Sequence, residues 1–257
     1  MVEIIAIALH LITAGLLVWY FVRGDRGSRE PARGLVAATF CGLIALVLAT
    51  IAYGFVAVPS PENTEIFTSF GVAWSAGWKI GLIEETAKLL PILIYIYRRP
   101  FFNEHTDGVI YFGLTGLVFG TVENILYVGF SGAGLVRIFF LPFFHATTTA
   151  IIGYGIARYR LKNSSIALPI MLYGLMVGAH ALYDASAFYS SHQPIYLIPI
   201  LVLSAASTIG VFIIYYFAHR HDKGLRLSTD GVRKYCRQCG APNPQDSLYC
   251  SKCGKLA

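Results

Sequence analysis

Residues 81–97 read GLIEETAKLLPILIYIY, two adjacent glutamates and a lysine set in an otherwise apolar run that is long enough to continue as a membrane helix. Glu84 and Lys88 are four residues apart and Glu85 and Lys88 three, so on a helix one ammonium serves either carboxylate. Burying such groups in hydrocarbon costs several kcal/mol per unpartnered polar group, so ionisable residues at this depth mark a functional site by default. The surrounding sequence decides whether this run is a membrane helix.

The chain has 257 residues, 56% hydrophobic and only 13% charged. A soluble domain of this size carries about 25% charged residues, and so apolar and aromatic a chain does not remain disordered. Seven apolar stretches, 4–22, 34–58, 78–97, 108–129, 138–157, 166–189 and 195–217, each reach about the 20 residues needed to span a bilayer. The expected fold is an all-α polytopic membrane protein. The segment 66–78, IFTSFGVAWSAGW, lies along the interface or lengthens the third helix.

Basic residues set the orientation. The first, third and fifth connections and the tail after 217 hold 17 of the 20 Lys and Arg residues, among them Arg23, Arg33, Arg98, Arg99, Arg158 and Arg160. The intervening connections hold Glu62 and Glu65, a single Arg137, and SHQP. This alternation places the amino terminus outside and the tail in the cytoplasm. The +6 net charge is therefore a topology signal, and no nucleic-acid partner is expected. The first span is preceded by Glu3 and followed by arginines, the pattern of a retained anchor and not of a cleaved signal. Pro142, Pro169 and Pro199 fall near span starts, where a missing N–H costs little.

The tail changes character. Residues 218–231 read as a charged linker, and 232–257 contain YCRQCGAPNPQDSLYCSKCG, a C-x2-C-x10-C-x2-C pattern from Cys236, Cys239, Cys250 and Cys253. Two CxxCG knuckles bring four thiolates into tetrahedral convergence, so a structural zinc ribbon is expected, the metal supplying much of the folding energy. A rubredoxin-like iron site and a pair of disulfides are the competing readings, the latter disfavoured in a cytoplasmic tail. The ribbon's partner is unknown, and the basic tail can also rest on anionic headgroups of the lipid bilayer. Cys41, inside the second span, reads as a small buried hydrophobe.

The charged residues within spans are Lys79, Glu84, Glu85, Lys88, Glu123 and Asp184, to which His145 and His180 are added. Lys79 sits at a span edge and can snorkel. At about 1.5 Å per residue, Glu84, Glu123, His145 and His180 come to depths of about 9, 9, 10 and 13 Å from the outer boundary of four different spans. Four helices thus bring acid or imidazole groups to one level. His180 and Asp184 are four residues apart, so the carboxylate can orient the imidazole. Asn124 follows Glu123, and Thr149 lies one turn from His145.

At these positions the sequence resembles the PrsW-type intramembrane endopeptidases, relatives of the CAAX prenyl endopeptidases. The motif EExxK is matched by Glu84, Glu85 and Lys88, FxxxE by Phe119 and Glu123, and the histidine motifs by His145 in FFHATTT and His180 with Asp184 in HALYD. The CAAX enzymes carry EExxxR and FxxxH instead, so Lys88 and Glu123 place the likeness on the PrsW side, over residues 65–190 within a protease domain of 1–217. The resemblance implies a multi-span protease of a prokaryotic cell membrane that cleaves a membrane-anchored, single-span protein, with anti-sigma factors as substrate class.

Amide hydrolysis needs a base for water, a proton for the amine and donors for the oxyanion. One of Glu84 and Glu85 is the expected base, with Lys88 tuning both, His180 and His145 serving the oxyanion or the amine, Asp184 orienting His180, and Glu123 positioning water. The same imidazoles and carboxylates can instead bind a catalytic zinc; the metal-independent glutamic mechanism is preferred. An ion- or proton-coupled transporter and a non-catalytic scaffold acting through the ribbon are the alternatives.

Overall fold

The computed structural model describes residues 2–24, 30–58, 64–131, 135–161, 163–229, 233–235 and 242–244. Among these, seven long helices follow one another: α1 (Val2–Gly24), α2 (Ala32–Phe55), α3 (Phe70–Tyr95), α4 (His105–Ser131), α5 (Leu135–Arg160), α6 (Ala167–Tyr189) and α7 (Leu197–Thr229). They correspond one to one with the seven expected spans. Two short strands, β1 (Arg233–Tyr235) and β2 (Pro242–Pro244), pair antiparallel in the tail. Cys236, Cys239, Cys250 and Cys253 lie outside the described residues.

Four segments are long and apolar enough to cross a membrane by composition: Ala32–Phe55, His105–Leu126, Phe140–Arg160 and Pro194–Asp222. The apolar part of α1, Ile7–Arg23, is shorter. Helices α3 and α6 fall short for a different reason: besides Lys79 at an exposed edge, they carry Glu84, Glu85, Lys88, His180 and Asp184, the polar residues that the fold turns inward. Helices α4 and α5 are buried along most of their length, whereas α2 and α7 are peripheral. The periphery exposes Phe40, Val47, Ile94, Ile170, Val202 and Ile209, an apolar outer surface that suits hydrocarbon and not water.

Several helix boundaries refine the expectation. Of the segment 66–78, the part from Phe70 onward lengthens the third helix, one of the two expected arrangements, with Ser69 accepting from the Val72 N–H as N-cap. Helix α5 starts at Leu135, so Pro142 lies inside it and not in its first turn. Helix α7 continues to Thr229, so the charged stretch that begins at 218 is helical as far as that residue.

That continuation is tied down. Asp222 is buried and accepts four hydrogen bonds at the start of α4: from the His105 N–H and His105 Nδ1, both 2.7 Å, the Thr106 N–H at 2.9 Å and the Thr106 hydroxyl at 2.8 Å. A carboxylate here satisfies N–H groups that the first turn cannot pair internally and complements the helix dipole. Around it, Arg160 donates to the Arg99 carbonyl, His105 contacts Asn163, Arg33 lies over the Phe101 ring and the Tyr111 hydroxyl donates to Glu30. The described parts of the first, third and fifth connections and the α7 extension therefore meet at one end of the bundle, as the alternating charges require.

Small residues govern the helix spacing where the polar groups lie. On α3, a Cβ at Gly77 would stand 2.5 Å from the Ala181 carbonyl oxygen and one at Gly81 3.0 Å from that of Val177, so α3 and α6 approach backbone to backbone. On the other side of α3, Ala87 and Phe119 pack with Ala45 and Ala49 of α2. Such seams are how membrane helices associate without a hydrophobic driving force.

Replacing Asp222 by alanine leaves the α4 terminus without its acceptor, at a cost of about 2 kcal/mol. Thermal unfolding in detergent is expected to show a lowered midpoint for Asp222→Ala and a smaller loss for Asp222→Asn; an unchanged midpoint for both would contradict this account of the α7 extension.

Candidate active site

Helix α3 presents Gly77, Gly81, Glu84, Glu85 and Lys88 toward the bundle, at the spacing of one broad helical face. The glycines let α6 approach, and the next turn meets His180 on α6, His145 on α5 and Glu123 on α4. A Cβ at Gly120 would come within 2.5 Å of the His145 ring, so the absence of a side chain there is what allows the imidazole to lie against α4.

Lys88 is at the centre and fully buried. Its Nζ lies 3.0 Å from Glu85 Oε1, 3.6 Å from Glu84 Oε2 and 2.7 Å from His145 Nδ1, with the Phe119 ring centroid at 4.3 Å. His145 Nε2 is 2.9 Å from Glu123 Oε2. With Lys88 donating to Nδ1, the imidazole carries its own proton on Nε2, the nitrogen that lies beside the Glu123 carboxylate. His180 Nδ1 lies 2.9 Å from Glu85 Oε1, and its Nε2 stands 3.6 Å from Glu84 Oε2 and 3.5 Å from Asp184 Oδ2. The two imidazole rings meet edge to face at 5.2 Å.

The two glutamates are used differently. Glu85 is wholly buried, and its Oε1 is engaged by Lys88, His180 and, at 3.3 Å, the Thr148 hydroxyl. Glu84 accepts one hydrogen bond on Oε1, from the Tyr53 hydroxyl of α2 at 2.6 Å. Its Oε2 has no hydrogen-bond partner among the described residues and faces Lys88 and His180. Glu85 Oε2 likewise has no hydrogen-bond partner among the described residues, so the two acids differ in how many groups hold Oε1, three for Glu85 and one for Glu84.

All seven residues marked in the sequence, Glu84, Glu85, Lys88, Glu123, His145, His180 and Asp184, come together here. The pairing differs in two respects. His180 hydrogen-bonds Glu85 through Nδ1, while its approach to Asp184 is longer than a hydrogen bond. Thr149 donates to the His145 carbonyl within its own helix, and it is Thr148 that reaches Glu85. Lys79 donates to the Ala57 carbonyl at an exposed helix edge, away from the cluster. Tyr53 and Thr148 were not marked: a tyrosine near the end of an apolar span reads as an interfacial aromatic, and one threonine among three has no distinguishing spacing.

Glu84, His145 and His180 each offer one ligand atom within 4.8 Å of the others, so this buried set can also hold a metal ion. Two imidazoles and a carboxylate are a familiar zinc donor set. In the geometry at hand, Lys88 and Glu123 engage both nitrogens of His145, so an ion there must compete with the Lys88 ammonium.

Comparison with known proteins bears on the same region. The family model described as PrsW family intramembrane metalloprotease matches residues 30–216, and a zinc-ribbon domain model matches residues 235–256. Protease PrsW of Bacillus subtilis strain 168 is 28% identical over 204 residues, covering 75% of this chain and 89% of the relative. Protease PrsW of Oceanobacillus iheyensis is 33% identical over 110 residues, 39% of this chain and 51% of the relative. That of Clostridioides difficile strain 630 is 26% identical over 182 residues, 62% and 73% respectively. No solved structure matches the chain. A helical membrane domain that gathers four acids, two imidazoles and one lysine in a single cluster, matched over most of its length and followed by a zinc ribbon, belongs to the PrsW family of intramembrane proteases.

Proposed function

We propose that the chain cleaves a peptide bond of a single-span, membrane-anchored protein by glutamate-activated water, with Glu84 as the base. The observation that carries the assignment is the asymmetry of the acid pair. Glu85 Oε1 holds Lys88, His180 and Thr148, whereas Glu84 Oε1 holds only Tyr53; Oε2 of each is unbonded among the described residues, and that of Glu84 faces both Lys88 and His180 at 3.6 Å. Glu84 takes a proton from water, whose oxygen attacks the scissile carbonyl carbon. His180 acts as the imidazolium, Nδ1–H given to Glu85, and its Nε2–H stabilises the resulting oxyanion. As the carbon–nitrogen bond breaks, the proton held by Glu84 passes to the leaving amine, and the carboxylate is restored. His145, held between Lys88 and Glu123, forms the opposite wall of the site, and Asp184 shields His180 from the outer side. Lys88 balances the two glutamates and allows both to remain buried.

A second reading rests on the three-ligand cluster and on the family description. Glu84, His145 and His180 would hold a divalent ion, which supplies a polarised carbonyl and a more acidic water. The engagement of both His145 nitrogens favours the metal-free reading. The orientation inferred from the charges puts the cluster in the outer half of the bilayer and the ribbon in the cytoplasm, in a bacterial cell membrane, and the resemblance to anti-sigma-factor proteases supplies the substrate class.

Glu84→Gln is expected to accumulate in membranes at the parental level and to lose at least about 100-fold in cleavage of a co-expressed single-span substrate. Glu85→Gln removes the partner of a buried ammonium, a loss of about 3–5 kcal/mol, so it is expected to lower both accumulation and cleavage. His180→Ala should be inactive. Parental cleavage by Glu84→Gln would remove it as the base. A strong chelator is expected to spare cleavage by a purified chain ending at residue 231; loss of cleavage restored by zinc would establish the metal reading instead.

A further inference from the structure

Tyr53 belongs to α2, a helix that contributes none of the residues marked in the sequence. Its hydroxyl donates to Glu84 Oε1 at 2.6 Å, across 31 residues of chain. A phenol has a single proton to give, and a carboxylate oxygen only accepts, so the direction of this bond is unambiguous. It occupies one oxygen of Glu84 and thereby leaves Oε2 as the atom that faces Lys88 and His180, each 3.6 Å away.

The ring is held as firmly as the hydroxyl. It packs against two buried clusters, one that includes Phe67, Ala73 and Ala76 and one that includes Ala45, Ala49, Ala87 and Phe119. Ala45 and Ala49 of α2 are buried in the second of these. A neutral donor suits that place, because a cation would draw the acids away from Lys88 and a phenylalanine would leave Glu84 Oε1 without its donor.

We infer that Tyr53 is a positioning residue of the hydrolytic site, fixing the rotation of the Glu84 carboxylate so that Oε2 meets the water. The inference rests on the proposed role of Glu84. It also makes α2 part of the site, which extends the constellation from four helices to five. Tyr53 touches no reacting atom itself and acts through Glu84, so its loss shows in turnover and not in substrate affinity.

The experiment is steady-state cleavage of a purified single-span substrate by the full chain in detergent, comparing the parent, Tyr53→Phe, Tyr53→Gln and Glu84→Gln. Thermal midpoints are measured on the same samples, and Tyr216→Phe, on the exposed face of α7, is the control. Tyr53→Phe is expected to lower kcat by about 10- to 100-fold with KM and midpoint unchanged, in the range that misplacing a reacting group by about 1 Å produces. Tyr53→Gln, which keeps a donor but not the ring, is expected to retain more turnover than Tyr53→Phe. Parental kcat in Tyr53→Phe alongside an inactive Glu84→Gln overturns the role of Tyr53 and leaves that of Glu84 standing. A Glu84→Gln variant with parental turnover overturns the underlying reading instead. A fall in Tyr53→Phe activity that follows a fall in midpoint, with Tyr53→Gln worse still, assigns Tyr53 to packing and also overturns the inference.

Discussion

The Lys88 ammonium, fully buried among Glu84, Glu85 and His145, is the constraint on which the rest of the structure depends. A lone charge at that depth is untenable, and so is a pair of carboxylates. Together they are tolerable only if every partner is supplied from a neighbouring helix. His180 from α6, His145 and Thr148 from α5, Glu123 through His145 from α4, and Tyr53 from α2 meet that need. The arrangement of α2 to α6 can be understood as the solution to burying one short polar segment of α3.

Close approach is the means. Polar side chains of ordinary length reach one another across helices only if the backbones come near, and the residues flanking the cluster are accordingly small. Gly77 and Gly81 admit α6, Gly120 admits the His145 ring, and Ala45, Ala49 and Ala87 admit α2. Away from the cluster the packing is aromatic and aliphatic, around Phe21, Phe102, Tyr111 and Phe112. Steric economy at the site and bulk elsewhere separate a chemically specific region from one that only holds the bundle together. At the far end, Asp222 performs a comparable task on a smaller scale, joining the α7 extension to the start of α4.

Much of this was legible in residue types. Seven apolar stretches gave seven helices, and the alternation of Lys and Arg placed their basic connections at one end. The seven ionisable residues share a site because each is too costly to bury singly. What could not be read was the identity of the pairs. Spacing along α6 suggested Asp184 as the partner of His180, but Glu85 lies closer across the helix interface than the residue one turn away. Helix ends were equally local matters: Pro142 lies within α5 and 218–229 within α7, both past the points where composition changes.

Sequence by itself determined that this protein resides in a membrane, which residues must be sheltered there and, through the order of its motifs, the family to which it belongs. These follow from transfer free energies and helical periodicity, both properties of the chain alone. Tertiary structure decided which groups hold each glutamate, Lys88, His180 and Thr148 on Glu85 Oε1 and Tyr53 on Glu84 Oε1, and so brought in Tyr53 and Thr148. Hydrogen bonds between helices depend on interaxial distance and rotation, set by small residues far apart in the chain, and no spacing within one helix encodes them.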